Sequence, residues 1–311
     1  MVNNLGRFGI HNQPALNQSC SSVLGELCMT VLSTDIPAPN SPSISDVEAY
    51  YDAMGPFYKL IWGDSVHGGY WPAGLEDMSL PEAQEHLTNL MIEKTPIKPG
   101  QHMLDLGCGT GLPAIRMASA KQCHVHGLTV AHGQVAEAQA TIQAMQMQEL
   151  VHINWGNAME LPFEADFFNA AWAFESIFHM PSRLTVLQEA NRVLQAGSYF
   201  VLTDIVEVKS LSPEQQQIFF PAFQINTLTT KQGYLDLFAQ TGFEQLELID
   251  LTAGIEKTLA HTKLGIEQKR AELAAIYPPE MLGMIEQTWP MVEKIYAEFV
   301  RYVLIVARKR G

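Results

Sequence analysis

Three glycines at alternate positions follow an acidic residue in Asp105-Leu-Gly107-Cys-Gly109-Thr-Gly111, with the apolar run HMLDLG leading in and LPAIRMASA leading out. Glycine lets the main chain take positive φ and approach a ligand closely, and a helix start offers unpaired amides, so a bend of this kind between strand and helix suits a small polar ligand. The spacing argues against a dinucleotide. A GxGxxG fingerprint would place its third glycine one position later, and the second strand ends in Leu128, Thr129 and Val130 without the carboxylate that grips a ribose. For proton transfer the chain offers ten histidines, and position must choose among them. His179, in AFESIFHMP, follows the fourth expected strand on the edge where ligands bind in open α/β sheets; Asp204, in VLTDIV, ends the neighbouring fifth. An imidazole of ordinary pKa, about 6.5, is mostly neutral at pH 7, and an adjacent carboxylate would fix its tautomer and stabilise the imidazolium. The pair therefore reads as a general base with its orienting partner. The structural alternative is that His179 packs on Met180 and Asp204 caps its strand. No histidine stands at metal-ligand spacing from Asp, Glu or Cys, so no metal is expected.

Alternating elements must position these groups. HVHGLTV, VHINWG, FFNAAWAF and SYFVLTDIV read as strands after HMLDLG, separated by helical runs such as QVAEAQATIQAMQMQ and by RLTVLQEANRVL, with Gly197 just past its end. This rhythm predicts a parallel sheet covered by helices on both faces. Upstream, a helix capped by Ser45 or Asp46 runs through VEAYYDAMGPFYKLIW, followed by the Gly-rich turn WGDSVHGGYWPAG and a helix from about Leu80 to Lys94. Downstream, KQGYLDLFAQTGF is helical, GFEQLELIDLT is a strand, residues 254 to 290 are helical with a break at Pro278 and Pro279, and FVRYVLIVAR adds a β-branched final strand.

Together these motifs resemble class I S-adenosylmethionine-dependent methyltransferases over roughly residues 45–311, in the small-molecule branch with tocopherol, sugar and cyclopropane-forming enzymes. The resemblance implies a Rossmann-like seven-stranded sheet with an N-terminal helical lid over 44–95 and cap insertions at about 211–229 and 253–294. DLGCGTG resembles the family's first motif, which implies that Asp105, Gly107 and Gly111, with Gly109 between them, hold the amino-acid end of the cofactor. GLTVAHGQ resembles a GITLSxxQ variant, implying ribose-side contacts from Thr129 and Gln134. NWGNAMELPF resembles the segment that faces the adenine, placing Asn157 where an Asp is usual, followed by Ala158 and Met159. WGDSVHGGYW resembles the lid signature; Tyr51, Trp62, His67 and Tyr70 would line the closed site, Tyr51 with the cofactor and His67 and Tyr70 with the substrate. ESIFHMP resembles ESxHHMP, with Phe178 replacing the first histidine and standing among the expected substrate contacts. Glu175, in the same loop, joins the cofactor contacts.

Composition bounds the remaining classes. The chain has 311 residues, 47% of them hydrophobic and 17% charged, enough for a filled core and too little charge for disorder. With 19 Lys and Arg against 33 Asp and Glu, the formal charge is −14, which repels phosphate backbones and anionic lipid, so no nucleic-acid partner is expected. No apolar run is long enough to span a bilayer, and Cys20, Cys28, Cys108 and Cys123 fit neither a disulfide framework nor a zinc knuckle. A reducing cytoplasm is the expected setting, and self-association is compatible with the sequence. Residues 1–43 read as an Asn-, Ser- and Pro-rich extension and linker, although Ser21 to Leu32 is apolar enough to need a partner surface.

The expected activity is methyl transfer to a hydroxyl of an apolar or glycosylated small molecule, in the manner of secondary-metabolite tailoring, with His179 as base. Phe219, Phe220 and Phe223, with Ile225 and Leu228, would line an apolar acceptor pocket, or else form the core of the cap. Two alternatives stand beside this: carbon methylation of an electron-rich ring or enolate, with Glu175 steadying a cationic intermediate, and a catalytically silent cofactor-binding scaffold.

Overall fold

The computed structural model describes residues 43–226 and 228–311, so the expected extension, apart from Ser43, lies outside the described residues. Ser43 is the N-cap of α1 (Ile44–Ile61): its hydroxyl accepts from the Asp46 amide while the Asp46 carboxylate accepts from the Ser43 amide. This capping box starts the helix ahead of the expected Ser45 because Ser43 satisfies an amide that Ser45 would leave open. Val47, Tyr50, Ala53 and Phe57 recur at helical spacing and form the buried face. A second capping box, Ser79 with Glu82, starts α2 (Leu80–Lys94) where expected.

The strands are β1 (His102–Leu106), β2 (His124–Thr129), β3 (Val151–Trp155), β4 (Phe168–Ala173), β5 (Leu194–Glu207), β6 (Phe243–Asp250) and β7 (Val300–Lys309). They form one sheet in the order β3-β2-β1-β4-β5-β7-β6, parallel through β5, with β7 inserted antiparallel between β5 and β6. The crossovers carry α3 (Leu112–Lys121), α4 (His132–Ala144) and α5 (Arg183–Val193). Both faces of the sheet are covered: Met103, Ala170 and Trp172 pack in one apolar cluster, and Leu104, Leu106 and Ala171 pack in another. Burial on both faces explains why the strands read as continuous apolar runs rather than alternating ones. Because β1 lies between β2 and β4, chain order reverses there, and the loops leaving β1 and β4 open a crevice at their carboxyl ends.

One junction departs from expectation. β5 begins at Leu194, directly after α5, and Gly197 sits inside it at φ 79°; pairing with β4 shifts there from Phe168–Leu194 to Ala170–Tyr199. The glycine absorbs a bulge in the strand instead of ending the helix.

The sheet is elaborated by α6 (Pro213–Phe223) after β5, by α7 (Lys231–Thr241) before β6, and by α8 (Thr252–Ile255), α9 (Lys257–Gln268), α10 (Arg270–Ala274) and α11 (Pro279–Phe299) between β6 and β7. The late insertion packs on the N-terminal segment: Phe57 shares a cluster with Ile266, Leu273, Tyr277 and Leu282. The Tyr277 hydroxyl donates to the Ala53 carbonyl at 3.0 Å and the Trp62 indole to Thr262 Oγ1 at 2.8 Å. Among the described residues no helix is long and apolar enough to cross a membrane.

Candidate active site

A cleft of about 990 Å³, the open solvent at its mouth included, lies at the carboxyl ends of β1, β2 and β4. Asp105 lines it from the end of β1 with Gly107 and Gly109 from the loop that follows, Thr129 from the end of β2 with Gln134 from α4, Asn157, Ala158 and Met159 from the loop after β3, and Glu175 and His179 from the loop after β4. Tyr51 and His67 close it from the N-terminal segment.

The first loop carries two marks of a ligand site. Asp105 is 2% exposed, and burial, opposed by a hydrogen bond with the Trp172 indole, pushes its carboxyl up to about 7. A carboxyl whose charged form is disfavoured by burial gains from a cationic ligand group placed against it. Gly109, at φ 55°, has nothing within 4 Å of where a Cβ would stand, so its backbone faces open space. Gly107 is needed for a different reason: at φ 77° it lies so close to the β4 loop that a Cβ would stand 2.4 Å from Ser176 Cβ. Gly111 is not in the cleft wall. It begins α3 in a left-handed turn, and a Cβ there would reach Ile153 Cδ1 at 2.3 Å, so its role is close packing. The group set, a buried carboxyl beside a glycine bend with a hydroxyl and amide pair further along, fits an amino-acid-bearing nucleoside.

On the ribose side Thr129 Oγ1 donates to Gln134 Oε1 at 2.7 Å, so the two expected contacts form one unit. Asn157 differs from expectation: its Oδ1 accepts the Met159 amide at 2.9 Å in a tight turn, and is engaged with its own backbone.

The expected pairing of His179 with Asp204 is not formed. Asp204 is fully buried, with Oδ2 accepting from Arg183 Nε at 3.0 Å and from the Tyr234 hydroxyl, and Oδ1 accepting from the Ile205 amide at 2.7 Å. Burial works against the Arg183 charge, but the Asp204 carboxylate outweighs it and raises the guanidinium further. Instead, His179 directs Nδ1 to the Gln224 carbonyl at 3.1 Å and Nε2 to the Tyr51 hydroxyl at 2.8 Å. A carbonyl can only accept, so Nδ1 carries the proton and Nε2 presents its lone pair. Burial, reinforced by the nearby Arg183 charge and opposed by the Gln224 bond, lowers His179 to about 4.

Glu175 lines the same cleft, half-buried. Its Oε1 accepts from Tyr302 at 2.7 Å, both carboxylate oxygens accept from the Gly68 amide at 3.0 and 3.1 Å, and burial pushes it up to about 7. His67 lines the cleft with both ring nitrogens engaged, Nδ1 on the Gly68 carbonyl and Nε2 on Thr88, and burial lowers it to about 4. Three expected substrate contacts lie elsewhere. Tyr70 fills space left by Gly254, where a Cβ would come within 2.4 Å of its ring. Phe178 packs on His179 with ring centroids 4.3 Å apart, and Phe223 packs on Phe219, which is core. No residue of α6 reaches the cleft wall, so the phenylalanine group forms core rather than an acceptor pocket. His261 stacks on Trp71. The sequence reading missed the partners Gln224, Tyr302 and Arg183, and the cleft residues Ile44, Val47, Met180 and Pro181. Each of the three partners is tens of residues from the group it serves, and no local spacing signals such contacts.

Comparison with known proteins fits this geometry. A family model described as mycolic acid cyclopropane synthetase matches residues 39–298. The O-methyltransferase resE of Aspergillus sclerotiorum is 32% identical over 235 residues, covering 74% of this chain and 89% of its own. The 27-O-demethylrifamycin SV methyltransferase of Amycolatopsis mediterranei is 36% identical over 169 residues, covering 54% and 61%. Among solved structures, the [4+2]-cyclase SpnF superposes with a TM-score of 0.75 at 26% identity over 88% of this chain and 98% of its own. The cyclopropane synthase MmaA2 from Mycobacterium tuberculosis gives 0.79 at 19% identity over 86% and 99%, which speaks for the fold alone.

Proposed function

Because the chain belongs to the mycolic acid cyclopropane synthetase family of S-adenosylmethionine-dependent methyltransferases, we propose that it methylates a hydroxyl of an apolar or glycosylated small molecule, as in secondary-metabolite tailoring. The observation that carries this reading is the His179 imidazole, held neutral with its Nε2 lone pair in the cleft and already receiving a hydroxyl, that of Tyr51. An alcohol is a weak nucleophile until a base takes its proton, so a group of this kind is what oxygen methylation requires and what a preformed amine or thiolate acceptor would not.

When bound, S-adenosylmethionine supplies an activated methyl carbon. Asp105 would hold its ammonium group, with the Gly107–Gly109 backbone against its amino-acid end, Thr129 and Gln134 against the ribose, and Ala158 and Met159 beside the adenine. His179 would receive the acceptor's proton at Nε2 as the new carbon–oxygen bond forms, the acceptor hydroxyl replacing that of Tyr51. Glu175 anchors the turn at Gly68 against the β4 loop and helps to exclude water from the cleft.

Cofactor binding should be linked to protons. A carboxyl at about 7 is largely protonated at pH 6, and an ammonium placed on Asp105 would return it to the charged form. Affinity for S-adenosylmethionine should therefore rise as pH increases from about 5.5 to 7, then level off, by up to about tenfold per pH unit. Titration calorimetry in two buffers of different ionisation enthalpy should show proton release at pH 6; none would remove Asp105 as the ammonium contact.

The reaction itself is tested by incubating the purified protein with ¹³C-methyl cofactor and a panel of hydroxylated polyketides, peptides and glycosides. The methyl carbon should appear at the chemical shift of an oxygen-bound methyl. Appearance on carbon would replace this reading with the second one, for which the half-buried Glu175 carboxyl in the cleft wall, able to ionise beside a developing cation, is the supporting observation.

A further inference from the structure

The segment after α6 meets the base through main-chain atoms. α6 ends at Phe223, and Gln224 follows in a left-handed conformation at φ 49°, ψ 43°. Its amide turns back to the Phe220 and Pro221 carbonyls and its side-chain amide donates to the Pro221 carbonyl at 3.3 Å. The Gln224 carbonyl receives His179 Nδ1 at 3.1 Å, and two residues on the Asn226 amide donates to the Phe178 carbonyl at 3.0 Å. Residues 224–226 thus run along residues 178–179, holding the base on both sides of its own peptide.

We propose that this left-handed main-chain clamp at Gln224, and no carboxylate, is the positioning device for His179, so that the segment after α6 sets the base's tautomer. The proposal rests on the reading of His179 as base. A carbonyl oxygen and a carboxylate hold the same ring proton with different consequences. The carboxylate would also stabilise the imidazolium, whereas the carbonyl orients the ring without a compensating charge. Orientation then depends on one backbone torsion. Left-handed geometry is unfavourable for most side chains, tolerable for Asn and free for Gly, and worst for β-branched residues. Gln224 keeps it because the bonds to Phe220, Pro221 and His179 over-determine the turn.

The role assigned to Gln224 is carried by its conformation, which gives a test that side-chain chemistry alone would not pass. Gln224→Asn and Gln224→Gly, both able to take positive φ, should keep kcat within about twofold, with His179 remaining the Nδ1–H tautomer by ¹⁵N–¹H correlation spectroscopy of ¹⁵N-histidine-labelled full-length protein. Gln224→Val should lower kcat by about tenfold or more, leave KM for S-adenosylmethionine unchanged, and bring out Nε2–H signals for His179. A Val variant with unchanged tautomer and kcat would overturn the clamp, as would equal losses in Asn, Gly and Val. A melting curve on each variant separates loss of the turn from loss of the fold. The spectra read the tautomer without turnover, so they decide the clamp even if His179→Ala shows that the base reading is wrong.

Discussion

His179→Ala should lower kcat by about 10²–10⁴, the range that a positioned base contributes, while leaving the affinity for S-adenosylmethionine near that of the parent protein. The cofactor contacts proposed for Asp105, Gly107, Thr129 and Gln134 come from other loops, and His179 takes part in none of their hydrogen bonds. The pH profile gives a second, independent expectation. A histidine lowered to about 4 by burial is neutral and able to accept a proton at every pH above that value. The acid limb of kcat/KM for the acceptor should therefore lie near pH 4 to 5 rather than near the ordinary imidazole value of about 6.5, with a flat region above it. Stopped assays with radiolabelled cofactor across that range read both effects. Unchanged turnover in the Ala variant would transfer the proton step to another group of the cleft, such as Tyr51, which is hydrogen-bonded to His179, or Glu175.

The legible part of this molecule was the part written in contiguous residues. Alternating apolar runs and helical spacings gave the strand and helix order through β7, though not the antiparallel insertion of β7 between β5 and β6. The glycine bend, the Thr129–Gln134 pair and the Asn157 segment sit in the cleft because each lies immediately after a strand, and the parallel sheet brings all strand ends to one edge. The same reasoning gathered His179 and Asp204 at neighbouring strand ends but could not orient their side chains. Asp204 lies within β5, which continues to Glu207, so its side chain is committed to the sheet's interior, where Arg183 and Tyr234 meet it. A basic residue at the start of α5 and a tyrosine in α7 carry no spacing that announces a buried ion pair. Nor could the aromatic content of α6 distinguish a pocket from core: Phe219 and Phe223 have the same helical spacing in either case, and it is distant contacts that decide it, such as that of Phe219 with Tyr296 of α11, ring centroids 6.4 Å apart.

Asp204→Ala separates these two accounts of the carboxylate. If Asp204 balances Arg183, its removal leaves a guanidinium in a site where the side chain is 5% exposed, and breaking one partner of such a buried pair costs about 3–5 kcal/mol. The melting temperature should then fall on the order of 10 °C for a domain of this size. Removing both charges with Arg183→Met and Asp204→Leu should recover part of the loss, because an apolar pair carries no buried charge, although the Tyr234 hydroxyl then lacks the acceptor that Asp204 supplied. Turnover per folded molecule should fall far less than in His179→Ala, since the ring proton that a dyad would give to Asp204 already goes to the Gln224 carbonyl. The unbalanced Arg183 charge would in addition disfavour the imidazolium, moving the acid limb of the pH profile further down. A dyad predicts the reverse on each measurement: near-normal melting, a large loss in kcat, and a profile reshaped by loss of the stabilising carboxylate.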